Sequence, residues 1–446
     1  MKLWEKGIAV DKLIERFTTG RDREMDLYLA ESDILGTIAH CIMLEKVGLL
    51  TTEELHQLRI ALSAIYHQII EGRFVIEEGV EDVHSQVEFM LTRELGDTGK
   101  KVHSGRSRND QVLVDLRLFT RDSLITLSQS VKALFDALQA QSERYKDVLL
   151  PGYSHLQVAM PSSFGLWFGA YAEALSDDLM LLQGAYSINN QNPLGSAAGY
   201  GTSFPLDRRL TTKLLGFDDL NYNVVYAQMS RGKVERIAAS ALANLAATHS
   251  RMANDLCLYM SQNFNFITLP DELTTGSSIM PHKKNPDVFE LIRARCNHIQ
   301  NLPAEITLTM NNLTSGYFRD MQIIKESFLP VFDEMKTIID ITTFMIDHIQ
   351  VNKAILDDPK YNYLFSVEAV NEAVLNGTPF RDAYKSVFRL IAEGTFSPSK
   401  EIHHTHEGSI GNLCNDDIRR KFDVAYASFT ALKIAEVKRA LINYSV

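Results

Sequence analysis

The sequence predicts an all-α protein, an elongated bundle of long helices with a smaller helical domain on either side. Three observations lead there. Glycine and proline, the residues that interrupt helices, number 24 and 12 in 446 residues, well under the roughly 12% usual in soluble chains. Apolar residues recur at alternating steps of three and four, the period of one helix face. Finally, a stretch as long as Lys233 to Leu269 contains neither Gly nor Pro.

Taken in order, Ser32 to Val47 and Thr52 to Glu71 read as short helices. Thr51-Thr52-Glu53-Glu54 supplies the hydroxyl and carboxylate of a capping box before the second. They place a small helical domain at residues 1–106. Val112 to Thr120 reads as a helix, and Ser123 to Tyr145 as another with Leu124, Leu127, Val131, Leu134 and Leu138 on one face. Lys233 to Leu269 keeps Val234, Ala238, Ala241, Leu245, Met252, Leu256 and Tyr259 together, a rod approaching 40 to 50 Å at ~1.5 Å per residue. Asp287 to Thr309 and Glu326 to Gln350 follow, interrupted by Pro303 and Pro330. Rods of this length need partners along them, which predicts a central bundle over residues 107–356. From Asp357-Asp358-Pro359 onward, Gly377, Pro379, Gly394 and Pro398 cut the chain into short segments. Residues 357–446 therefore read as a third, smaller helical domain.

Composition excludes several classes. With 45 Lys+Arg against 56 Asp+Glu the formal charge is −11, which argues against a nucleic-acid partner, because phosphate binding needs clustered positive charge. Cys41, Cys257, Cys296 and Cys414 share no metal-ligand or disulfide-framework spacing, so a reducing cytoplasm is expected. The N-terminal MKLWEKGIAVDKLIERF is charged throughout, unlike a secretion signal. Ser154 to Ala172 carries no charge but contains His155, Gln157, Pro161 and two serines, a poor membrane span.

Four loops are dense in reactive side chains. His103 to Gln111 (HSGRSRNDQ) opens the Val112 to Thr120 helix with two guanidiniums, Ser107 and Asn109, donors suited to a carboxylate, although a solvated, capped turn would read the same. Gly152-Tyr153-Ser154-His155-Leu156-Gln157 offers an imidazole, whose free pKa near 6.5 suits proton transfer, although a structural histidine fits too. Thr275 to Asp287 (TGSSIMPHKKNPD) is the most specific. Its end is a helix start, with Asn285 as N-cap and Pro286 at the first helical position, and its Gly-Ser-Ser beginning should be mobile. Ser277 is a nucleophile or base candidate there. In the fourth, Arg319, Gln322 and Lys325 stand at helical spacings, which fits ligand contact or a surface ion-pair array. His403-His404-Thr405-His406 lacks acidic or Cys support, so no metal site is expected.

Gly276 to Pro286 (GSSIMPHKKNP) resembles the signature loop of the fumarase/aspartase superfamily. Gly105 to Val112 (GRSRNDQV), Glu81 to Glu88 (EDVHSQVE), Gly152 to Gln157 (GYSHLQ) and Arg319-Asp320-Met321-Gln322 resemble its argininosuccinate lyase branch in particular. The likeness runs in consistent order from about Phe17 to Gln350, with a weaker echo at Pro379-Phe380-Arg381. It implies three all-α domains with a long central five-helix bundle, a homotetramer with active sites shared between subunits, and elimination of arginine from argininosuccinate to leave fumarate, a step of arginine biosynthesis. It further implies Ser277 as base, Lys283 as stabiliser of the aci-carboxylate, and His155, paired with Glu290, at the leaving guanidinium. Ser107, Arg108, Asn109, Ser154, Asn285, Tyr317, Arg319, Gln322 and Lys325 are implied to hold the substrate, with no metal or organic cofactor.

Three departures accompany the likeness. His282 stands where argininosuccinate lyases usually carry Gln, Ser154 replaces a Thr, and Ala227 to Lys233 (AQMSRGK) does not match the family's ligand-touching stretch. His282 and the 227–233 segment keep open a lyase for another succinyl-amine such as adenylosuccinate, and the family's recruitment as lens crystallins keeps open a non-catalytic structural homologue.

Overall fold

The computed structural model describes residues 11–443. Met1 to Val10, included in the reading of the N-terminus, lie outside them. Helices carry the architecture, and three two-stranded sheets sit at bends between them. The central bundle is made by the helices Arg108–Arg144, Phe164–Asn189, Lys233–Met260, Asp287–Ile299 with Leu302–Met310, and Val331–His348. Each packs on the next, and Val331–His348 closes the ring against Asp287–Ile299 and Arg108–Arg144. Their facing stripes, among them Leu134, Leu138, Leu175, Leu179, Leu242, Leu245 and Phe332, form one continuous core.

Several helix limits differ from the sequence expectation, each for a local reason. Val112 to Thr120 and Ser123 to Tyr145 are parts of one 37-residue helix, Arg108–Arg144, about 55 Å long at ~1.5 Å per residue. Arg121 does not break it, because its buried guanidinium donates to the Leu215 carbonyl at 2.8 Å and lies over the Phe217 ring. The helix expected to reach Leu269 ends at Met260. There the chain doubles back, Asn265 takes a positive φ, and the Phe266 N–H returns to the Tyr259 carbonyl. Asp287 to Thr309 divides between Ile299 and Leu302, which puts Pro303 in the first turn of the second helix, where its missing N–H costs nothing. The rod expected from Glu326 is two helices, Met321–Phe328 and Val331–His348, parted at Pro330.

Around the bundle, Ala30–Lys46, Thr52–Ile70 and Val83–Leu95 share a second core, which Val114 and Leu118 of the long helix join to the first. The Thr51–Glu54 capping box is present. Ser366–Leu375 and Phe380–Ala392 enclose a small core of Val370, Ala383 and Val387. The last two helices return to the body. Asn415–Tyr426 stacks Phe422 on Phe135 at 3.9 Å, and Ala431–Ile442 packs on Ala30–Lys46. Among the described residues one helical stretch, Asp22–Lys46, is long and apolar enough to cross a membrane, and 78% of its apolar window is buried in the protein. The uncharged stretch from Ser154 enters a β-strand up to Ser163 and then a core helix.

Candidate active site

The start of the long central helix is built to present its first residues. Ser107 takes extended dihedrals as N-cap, its Oγ accepts the Asn109 N–H at 3.3 Å, and its own N–H donates to Asp110 Oδ1 at 2.9 Å. The other Asp110 oxygen accepts the N–H groups of Gly195 (3.0 Å) and Ala197 (2.9 Å). Burial pushes the Asp110 carboxyl up to about 6 against these donors. One buried aspartate thus fixes both the helix start and the 193–206 loop beside it.

Arg108 and Asn109 then face Tyr317, Arg319, Gln322 and Lys325 across a cavity of about 220 Å³. The cations expected to meet substrate are each already held by the chain's own acids. Arg108 Nη1 donates to Glu81 Oε2 (3.0 Å) and lies 3.2 Å from Asp82 Oδ2. Arg319 Nη2 donates to the other Glu81 oxygen at 2.7 Å and to the Thr18 carbonyl at 3.0 Å. Gln322 donates to the Thr18 and Thr19 carbonyls and accepts from Arg319 Nε at 3.1 Å. Buried Lys325 donates to Asp26 Oδ1 at 2.7 Å and pairs with Asp22. Burial would raise the Glu81 pKa, but the bonds from Arg319 and Arg108 outweigh it and leave the carboxyl below its ordinary value. For Asp22 burial prevails over Lys325, and its pKa rises to about 6.

Behind these acids lies a fully buried cluster that the sequence reading did not assign. His84 Nδ1 sits 2.8 Å from Asp33 Oδ1 and 3.5 Å from Asp115 Oδ2. Burial disfavours the imidazolium, yet Asp33, Asp115 and Asp82 reverse the balance and lift the His84 pKa to about 10. The three ligand-type atoms fall within 4.8 Å of one another, so the trio is the metal-sized grouping among the described residues. A ring nitrogen that keeps its proton for Asp33 is an ion-pair partner rather than a ligand. The readable signal was the Glu81-Asp82-Val83-His84 run itself, two acids and a histidine at a helix start.

Ser154 and His155 stand elsewhere, at the tip of an antiparallel hairpin made by Leu149–Ser154 and Gln157–Ser163. Close pairing requires Gly152, because a Cβ there would lie 2.6 Å from the Met160 carbonyl oxygen. Ser154 pairs with Gln157, so His155 and Leu156 form a two-residue turn, with φ of 55° and 58°. Tight hairpins need positive φ at both central positions and normally place Asn-Gly there. Holding two side-chain-bearing residues in that region costs about 1–2 kcal/mol each. His155 is exposed, and Leu156 is 79% exposed.

Ser277 and Lys283 occupy the third place, an exposed loop closed at its neck by the Thr275–Asn285 bridge, where the Asn285 N–H donates to the Thr275 carbonyl at 2.8 Å. The Asn285 side chain reaches back to Thr275 Oγ1 and the Gly276 carbonyl instead of capping the next helix, which begins at Asp287 after Pro286. Within the loop the Ser277 Oγ accepts the N–H groups of Ile279 (3.3 Å) and Met280 (3.2 Å). Lys283 and His282 are exposed. Glu290, on the Asp287–Ile299 helix, is exposed too and makes no pair with His155 among the described residues. No hydrogen bond or ion pair among the described residues joins hairpin tip or loop to the cavity.

The segment that departs from the family pattern is structural in this chain. Arg231, buried, donates from Nε to Glu235 Oε1 at 2.9 Å and from Nη2 to the Met321 carbonyl at 3.0 Å, which fixes the helix after Arg319. Ser230 Oγ accepts from Arg117 Nη2 at 2.9 Å, and Gln228 donates to the Ala197 carbonyl at 3.2 Å.

Beside this long helical bundle, its cavity of paired cations and acids and its serine loop, the lyase family's sequence profile matches residues 5–301. Argininosuccinate lyases from Parabacteroides distasonis and Bacteroides thetaiotaomicron are 64% and 62% identical over 442 residues, covering 99% of this chain and of each relative. That of Thermotoga neapolitana is 40% identical over 392 residues, covering 88% of this chain and 98% of its own. The fold is shared with a solved EDDS lyase bound to formate (TM-score 0.74, 21% identity, 98% of this chain and 95% of that one). A class II fumarase from Schistosoma mansoni shares it as well (TM-score 0.72, 16% identity, 93% and 94%). The chain belongs to the argininosuccinate lyases, carbon–nitrogen lyases on the all-α fumarase-type fold.

Proposed function

We propose that the protein cleaves argininosuccinate to arginine and fumarate, as a cytoplasmic homotetramer whose active sites are shared between subunits. The relatives' name over nearly the whole chain supports the substrate, and the surroundings of Ser277 carry the chemistry. Two backbone N–H groups directed at its Oγ favour the alkoxide over the hydroxyl, which an uncharged serine needs in order to act as a base. In this reading the Ser277 alkoxide takes a proton from the carbon beside a succinyl carboxylate. The freed electron pair is held as an aci-carboxylate next to Lys283, then forms the C=C bond of fumarate as the C–N bond breaks. His155 returns a proton to the departing guanidino nitrogen. Arg108, Asn109, Tyr317, Arg319 and Gln322 orient the substrate, with Ser107, Ser154, Asn285 and Lys325 supporting them, and no metal or organic cofactor is required. Orientation of this kind can supply several kcal/mol of the barrier reduction. Glu290 would reach His155 only from another subunit, and the three separate placements on one chain support shared sites.

The test is ultraviolet absorbance of fumarate after argininosuccinate is added to the purified protein. Ser277→Ala should lower kcat about a thousandfold or more with KM within a few-fold. Activity on adenylosuccinate but not argininosuccinate would retire the substrate. Mixed oligomers of Ser277→Ala and His155→Asn subunits should recover activity, and failure to do so once mixing is verified would reject shared sites.

A further inference from the structure

We infer that Tyr361, from the C-terminal third of the chain, is a positioning residue for His155, setting through Tyr153 the height and direction of the hairpin that carries the imidazole. The inference rests on the reading of His155 as the proton-transfer group.

An isolated two-stranded hairpin is marginal in water, and this one ends in two residues with positive φ. Its orientation must come from what it packs on. The strand register shifts between Pro151 and Tyr153, and irregularities of this kind re-aim side chains. Here the shift accompanies a Tyr153 ring that packs into an aromatic cluster, 5.4 Å from Phe264 and 6.4 Å from Phe266 between centroids. The Tyr153 hydroxyl shares a hydrogen bond with the Tyr361 hydroxyl at 3.3 Å, while the Tyr361 ring lies 6.3 Å from Phe266.

The far side of this contact is rigid. Tyr361 is 3% exposed and sits in the 3-10 turn Pro359–Phe365. That turn is capped by Asp358, which accepts the Lys360 N–H at 3.0 Å, while the Tyr361 N–H donates to the Asp358 carbonyl. Phe266, fully buried, immediately precedes the short strand Ile267–Thr268, which pairs with Gln350–Val351. Tyr153 is two residues from His155, so a small displacement of its ring tilts the exposed tip. Catalytic groups tolerate little displacement, about a hundredfold in rate for 1 Å in unfavourable cases. Tyr361 touches no reacting atom, which makes it a positioning residue and not a catalytic one.

The test compares Tyr361→Phe, Tyr153→Phe, the double variant and His155→Asn in the intact protein. Tyr361→Phe keeps the ring and removes one hydroxyl. It should lower kcat about tenfold with KM within about twofold, displace the pH profile of kcat, and leave Tm within about 2 °C. Tyr153→Phe should match it, and the double variant should be no worse than either single one, because the two hydroxyls make one bond. A wild-type kcat and pH profile in Tyr361→Phe would overturn the inference, as would losses that multiply in the double variant. If His155→Asn itself keeps wild-type kcat, the failure lies in the reading of His155, and the inference goes with it.

Discussion

His84 makes the electrostatics behind the cavity measurable. Its imidazole is buried between Asp33 and Asp115, and their charges, with that of Asp82, overcome burial and raise its pKa to about 10. In the unfolded chain a histidine titrates near 6.5. The folded state therefore binds a proton that the unfolded state releases, so this stabilisation is fully present below about pH 6.5 and disappears as pH rises through about 10. A gap of roughly 3.5 units at 1.36 kcal/mol each is worth on the order of 4–5 kcal/mol. Urea unfolding of wild type and His84→Gln, from pH 6 to pH 10.5, isolates it, because tyrosines and lysines titrate in both proteins and cancel in the difference. Wild type should lose about 4 kcal/mol more than the variant across that range. At pH 7 the variant should already be about 3–5 kcal/mol less stable, having left the buried Asp33–Asp115 pair, in which burial and Asp33 already push the Asp115 carboxyl up, without its counter-charge. Parallel stability curves would refute the ion-pair assignment and leave a neutral imidazole.

Two further substitutions separate binding from scaffolding. Glu81→Gln keeps the shape but weakens the contacts to Arg108 and Arg319; with Arg319 about half exposed and its share screened, stability should fall about 1–2 kcal/mol. KM should rise about tenfold with a smaller change in kcat, and an unchanged KM in initial-rate measurements would show that Glu81 does not orient the two guanidiniums. Glu235→Gln strips the counter-charge from buried Arg231 and should cost about 3–5 kcal/mol by urea unfolding. Activity per folded molecule should stay within about threefold, whereas a collapse of kcat at intact stability would return the 227–233 segment to the active site.

The helices were legible because an apolar face repeating at 3.6 residues has to be buried somewhere, and the bundle is where the stripes of Arg108–Arg144 and Lys233–Met260 meet. Their ends were less legible. Nothing in Ser261 to Leu269 breaks a helix by composition, and the chain leaves it because Phe266 gains a buried seat beneath the hairpin. The hairpin was hidden for a related reason, since its turn holds His155 and Leu156 where sequence rules look for Asn and Gly. Among functional groups, the cations stood out in motifs. The acids that organise them did not, because Asp22, Asp26, Glu81 and Asp82 read as ordinary solvated charge until the fold buries them against Lys325, Arg108 and Arg319. If the site is shared between subunits as proposed, that adds a further limit, since the proposed contact of His155 with Glu290 would have no expression in one chain's sequence order.

The chain divides its labour in a way that bears on assembly. In the cavity between Arg108 and Lys325 each cation is already held by an acid of the same chain, while Arg108 Nη2 is buried without a hydrogen-bond partner among the described residues, so in the proposed reaction the substrate would meet preset donors. The reactive half is the reverse. His155 and Ser277 sit on an exposed turn and an exposed loop, beside Leu156 and Ile279, which are 79% and 82% exposed. Large aliphatic side chains left that open, next to catalytic candidates, are costly in water and gain about 1.5–3 kcal/mol each when covered. Covering them in a shared site would offset the cost of holding His155 and Leu156 at positive φ, about 1–2 kcal/mol each. Strain at the hairpin tip and exposure at the loop tip would then be two parts of one arrangement, which association with other copies, as proposed, would relieve.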